Sequence, residues 1–121
     1  MNTRKNRPAA NGRREKELWI GVVEVRPRNG PNKILCDRRG AFVNIVTWAS
    51  DAADYKRKAE LVIGDLGDLF VSEVVNPEPV DVRRGRTGGF REDIEDMISR
   101  AERNPDAIIY GTFHTFENED A

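Results

Sequence analysis

His114 is the one histidine in the chain and Cys36 its one cysteine, so they are the first residues to ask for chemistry. A histidine general base needs an orienting carboxylate, and a histidine beside a thiol can lower the thiol pKa and make it a nucleophile. The acids that follow His114, from Glu117 onward, fall in a tail, and nothing in the sequence brings Cys36 to His114. His114 is therefore read as a packing or hydrogen-bonding residue, and no catalytic set is assigned. A metal centre would have to rest on carboxylates, so neither a metal nor another cofactor is expected.

Other groupings suit binding. Asn44 and Trp48 lie on one apolar segment, and Tyr110, Thr112, His114 and Phe116 lie on another. If both segments are strands whose Val43, Ile45, Ile109 and Phe113 face helices, these six side chains share the opposite face, because side chains alternate along a strand. Rigid aromatic contacts combined with Asn44, Thr112 and His114 as hydrogen-bonding groups would suit a protein partner. In the competing arrangement, the strand Leu18 to Val25 or a second copy of the protein covers this face as core, the latter giving a homodimer through the sheet.

The run Arg83-Arg84-Gly85-Arg86-Thr87-Gly88-Gly89 reads as a mobile loop ahead of a helix N-terminus, a place that favours anions. Arg83, Arg84 and Arg86 are the candidates for nucleic-acid contact, aided by a basic N-terminal arm. The spacing fits neither the P-loop nor the dinucleotide fingerprint, and Glu92 and Asp93 in the following turn would repel phosphate. The cluster Glu92, Asp93, Glu95 and Asp96 would instead select a basic protein, as an inhibitor or immunity protein does.

The element that must position Asn44 and Trp48 runs from Phe42 to Ala49, rich in β-branched and aromatic residues and free of Gly and Pro. Ser50 or Asp51 then caps a helix whose apolar stripe is Ala52, Tyr55, Ala59, Val62, Ile63 and Leu66, and Gly67 supplies a left-handed C-cap. Upstream, Leu18 to Arg26 is a strand and Lys33 to Asp37 a short return strand, which makes an N-terminal meander. Downstream, Leu69 to Val75 is a strand stopped by Asn76-Pro77-Glu78-Pro79, and Val80 to Arg84 returns as a short edge strand. Phe90 to Arg103 is a second amphipathic helix and Ala107 to Phe116 the last strand. The fold class is α+β, a two-layer sandwich with ferredoxin-like βαββαβ order over roughly 41–116. If Val80 to Arg84 is not a strand, the alternative is a βαβαβ unit in a mixed sheet.

Composition sets the outer limits. With 38% hydrophobic and 34% charged residues and a net charge of −1, the chain suits a single small soluble domain. Residues 1–16 hold six basic side chains against Glu15 alone and are read as a disordered basic arm; 17–116 form the domain and 117–121 an acidic tail. No apolar run has the length of a membrane span or of a signal peptide core, so no membrane contact is expected and the cytoplasm is the default compartment. The expectation is a small non-catalytic binding or regulatory protein with a protein partner, with nucleic-acid binding as the alternative.

Overall fold

The computed structural model describes residues 15–117. The basic arm, except for Glu15 and Lys16, and the acidic tail beyond Glu117 lie outside the described residues. In chain order the elements are β1 (Glu17–Pro27), a 3-10 turn (Lys33–Leu35), β2 (Gly40–Ala49), α1 (Ala52–Leu66), β3 (Leu69–Pro79), α2 (Val80–Thr87), α3 (Glu92–Glu102), β4 (Ile108–Tyr110) and β5 (His114–Phe116). This is an α+β fold with one five-stranded antiparallel sheet in the order β3-β1-β2-β4, β5 pairing with β2 alongside β4.

β1 and β2 are the centre, and the reason lies in their composition. Both carry apolar residues on both faces, so both faces need cover. Residues directly opposite each other in a sheet share a face, which sorts the side chains. Val23, Val43, Ile45 and Ala49 point to α1, where they meet Tyr55, Ala59 and Ile63. Leu18, Ile20 and Val46 point the other way, to Val80 of α2 and to Ile94, Met97, Ile98 and Ala101 of α3. A helix layer thus lies on each face of the sheet. The expectation that both amphipathic helices share the Val43 and Ile45 face is corrected: Val46 and Leu18 are as apolar as their neighbours and take α3 for themselves.

α1 starts where its cap chemistry directs. Asp51 Oδ1 accepts the Asp54 N–H at 2.8 Å, while Asp54 Oδ2 reaches back to the Ser50 N–H at 3.0 Å, a reciprocal arrangement close to a capping box. On its buried stripe, the Tyr55 hydroxyl donates to the Ile45 carbonyl at 2.7 Å. Burial pushes this phenol well above its usual range, so it stays neutral. Each large side chain fully covered in this stripe contributes roughly 1.5–3 kcal/mol. The helix ends at Gly67, whose φ of 114° is open to glycine, although its ψ of 126° is not that of a left-handed cap.

Three local assignments change. Lys33–Leu35 is a 3-10 turn rather than a return strand, because the Asn32 side chain caps it by accepting the Ile34 N–H at 2.8 Å. β3 does not stop before Asn76 but continues to Pro79, since an edge strand tolerates proline. A bulge absorbs the irregularity: Ile20 lies opposite Glu78 and Val22 opposite Val75, with Asn76 at a φ of 49° between them. Val80–Thr87 is helical, so the βαββαβ order lacks its third strand over 41–116, and the all-antiparallel pairing replaces the mixed sheet of the alternative.

Candidate functional site

The sheet face under α2 and α3 is covered over only part of its length. Leu18, Ile20, Val46 and Trp48 lie beneath or against the helices, with Ile109 of β4 beside them. Trp48 is fastened there by its indole N–H, which donates to the Ala101 carbonyl of α3 at 2.8 Å. Further along the same face, Val22 stands opposite Asn44, Glu24 opposite Phe42 and His114 opposite Phe42, outside that helical cluster. Val22, Asn44 and Phe42 are half-buried and His114 is exposed. Val75, across from Val22 on β3, extends the same strip.

The end of the strip is tightly built. Phe116 is buried, with its ring centroid 5.2 Å from that of Phe42 and the Arg26 guanidinium 5.3 Å above it. Arg26 is held in turn by Glu24, at 2.6 Å through Nη2 and 3.0 Å through Nε. Gly40 lies opposite Phe116, and a Cβ there would stand 2.6 Å from the Phe116 ring. Phe116 therefore supports Phe42 from within.

Tyr110 and Thr112 do not join this strip. Tyr110 is in register with Ile45 and so lies on the α1 side, where its ring meets Phe113 edge to face at 5.9 Å. From Tyr110 to His114 the chain takes four steps while its partners on β2 run only three, from Ile45 to Phe42. The extra residue reverses the alternation. Gly111 anchors the detour by donating its N–H to the Asn44 carbonyl at 3.0 Å, and Thr112 is exposed within it. Of the six residues expected on one face, Asn44, Trp48, His114 and Phe116 share it; Trp48 is beneath α3, and Tyr110 is on the reverse side.

The arginine run is helix rather than loop. Arg83 Nε and Arg86 Nη2 both meet Glu78 Oε2, at 2.5 Å and 2.7 Å, and Arg86 Nη1 meets Oε1 at 2.7 Å. Arg83 Nη2 also donates to the Asn76 carbonyl at 2.6 Å. The hydrogen bonds from Arg86 and then Arg83 hold the Glu78 carboxyl down at about 2. Arg84 pairs with Glu95 at 2.9 Å and lies over the Phe90 ring. The acidic start of α3 is likewise partnered: Asp93 by Arg91, Glu95 by Arg84 and Asp96 by Arg100.

Where α2 turns into α3, a cavity of about 390 Å³ opens beside the strip, lined by Ile20, Asn44, Arg83, Thr87, Gly89, Phe90, Arg91 and Ile94. Its lining mixes apolar Ile20, Phe90 and Ile94 with polar Asn44, Thr87, Arg83 and Arg91. Phe90 was not foreseen as a lining residue because it comes to share a cavity with Asn44 only once α2 forms. Among the described residues there is no group of three or more His, Cys, Asp or Glu suited to a metal ion, and no helix long and apolar enough to cross a membrane. Cys36 is exposed at the far end of the 3-10 turn. Comparison with known proteins finds no significant match to a family model, a curated protein or a solved structure.

Proposed function

We infer that this chain is a small non-catalytic binding protein of the inhibitor or immunity kind, acting in the cytoplasm on a protein partner. The contact surface is the uncovered strip of the sheet: Val22, Phe42 and Val75 as its apolar part, Asn44 and His114 as its hydrogen-bonding part. The observation that carries this reading is that α3 covers Trp48 and stops short of Phe42, leaving half-buried apolar and polar groups side by side on rigid strands. That mixture, with an ion pair such as Glu24–Arg26 at its border, matches the make-up of protein interfaces. The acidic face of α3 contributes less than its sequence suggests, since three of its carboxylates already have arginine partners.

The nucleic-acid reading ranks second. Arg83 and Arg86 share Glu78 and Arg84 pairs with Glu95, so a phosphate would compete with carboxylates already in place, which reduces the gain in charge pairing.

Affinity capture from extracts of the source cells, comparing the wild type with Phe42→Asp and His114→Ala, tests the reading. A protein retained by the wild type should be lost with Phe42→Asp and weakened with His114→Ala, while circular dichroism spectra stay unchanged. Retention of the same protein by both variants would rule out the strip as the contact surface. Sedimentation at rising concentration separates a foreign partner from a second copy of the chain.

A further inference from the structure

We propose that the cavity between α2, α3 and β2 is a binding site for a monocarboxylate carried on an apolar group. The inference goes beyond the protein-partner reading and stands independently of it. The volume of about 390 Å³ falls within the range of small-ligand sites. Ile20, Phe90 and Ile94 provide the apolar surface, and the charged residues in the lining are Arg83 and Arg91, with no carboxylate among the lining residues. Arg91 also pairs with Asp93 at 3.2 Å, so the unmatched charge comes from Arg83 and Arg86, which share Glu78, and the lining favours an anion with an apolar body.

Two features make it more than a basic hollow. Arg83 is held in place, its Nε on Glu78 and its Nη2 on the Asn76 carbonyl, and its side chain is only 16% exposed. Because Glu78 is shared by Arg83 and Arg86, the three side chains together keep one positive charge. The cation is thus pre-positioned and not fully neutralised, which lowers the cost of ordering it around a ligand. Asn44 is the second feature. It sits in the central strand between Phe42 and Val46, half-buried and lining the cavity, and its side-chain amide makes no hydrogen bond among the described residues. A polar group in that position without an internal partner is free to donate to a ligand oxygen.

The ligand chemistry follows from what surrounds these groups. Glu92 and Asp93 occupy the first turn of α3 just beyond Arg91, so a phosphate dianion would meet more repulsion than a carboxylate. An apolar group attached to the carboxylate would lie on Phe90 and Ile94. Two sources share this chemistry, a small aryl- or alkyl-carboxylic acid and the C-terminus of a peptide ending in an apolar residue.

The test is titration of the full chain, followed by amide NMR shifts and calorimetry. The probes are phenylpropionate, its primary amide, inorganic phosphate, and the peptide Gly-Gly-Phe with a free or amidated C-terminus. Phenylpropionate should saturate at millimolar concentration or below and shift the amides of Asn44, Thr87 and Gly89, with its neutral amide binding roughly tenfold more weakly. Asn44→Leu and Arg91→Ala should each reduce affinity several-fold; Arg91 is exposed, so its replacement leaves the fold intact. Tighter binding of Gly-Gly-Phe than of phenylpropionate assigns the site to peptide C-termini, and the reverse assigns it to small acids. Equal binding of acid and amide, preference for phosphate, absence of saturable shifts, or unchanged affinity in Asn44→Leu would each overturn the proposal. None of these probes involves a protein partner, so such a failure leaves the strip reading untouched.

Discussion

The indole N–H of Trp48 and the carbonyl of Ala101 meet at 2.8 Å, joining the central strand β2 to the last turn of α3. The same carbonyl also accepts the Asn104 N–H at 3.1 Å, so the indole uses its second lone pair at the end of the helix. Trp48→Phe, which keeps an aromatic ring and loses the donor, should cost about 1 kcal/mol, and Trp48→Ala about 3–5 kcal/mol, as measured by urea unfolding. An unchanged midpoint in Trp48→Ala would show that α3 does not depend on this contact.

Glu78 gives the protein an acid-sensitive joint between β3 and α2. Its carboxyl is held at about 2 in the folded chain against an ordinary 4.5, so the stabilisation is present above about 4.5 and disappears as pH falls towards 2. Glu78→Gln should lower stability at neutral pH by about 1–2 kcal/mol and flatten the fall in stability over that window. Thermal unfolding of both proteins at a series of pH values measures the difference; parallel curves would remove Glu78 from the account.

The start of α1 makes a second, separable prediction. Burial raises the Asp54 carboxyl, but the Ser50 N–H, the Arg57 hydrogen bond and the charges of Lys58 and Arg57 outweigh it and bring it to about 2. Asp51→Ala, which removes the oxygen that accepts the Asp54 N–H, should cost about 1 kcal/mol. Asp54→Asn should in addition reduce the loss of stability between about 3.8 and about 2, the direction expected of a carboxyl whose folded value is depressed. Chemical denaturation at pH 7 and pH 3 distinguishes the two variants.

Gly40 leaves no room for a side chain. A Cβ would stand 2.6 Å from the Phe116 ring and 2.8 Å from the Val25 carbonyl, and the carbonyl belongs to the adjacent central strand and cannot move aside. Gly40→Ala should destabilise by about 1–3 kcal/mol and displace Phe116. A loss of the upfield ring-current shifts around Phe42 and Phe116 in NMR spectra would report the displacement directly.

The central strands, α1 with its Asp51 cap, and α3 with its Ile94, Met97, Ile98 and Ala101 stripe were legible because local chemistry and burial agree there. Val80–Thr87 was not, since β-branched Val80 and Val82 after two prolines imitate a strand. Packing of Val80 against α3 and the pairing of Arg83 with Glu78 prevail over that preference, and both depend on residues distant in sequence or on another element. At the candidate surface, the alternation rule correctly grouped Phe42, Asn44 and Trp48. It failed for Tyr110 because a one-residue detour at Gly111 to Phe113, whose one sign in the sequence is the isolated Gly111, reverses the side of everything before it.

The order of the strands also bears on how the chain folds. β1 pairs with β2 across the short connection of residues 28–39, whereas its other partner, β3, arrives only after residues 28–68, including all of β2 and α1. Loop-closure entropy makes the first pairing the less costly one, so a β1–β2 hairpin is the natural nucleus onto which β3 and the helices condense. Val23, Val43 and Ile45, which α1 later covers, would then be exposed while that hairpin waits for its helix.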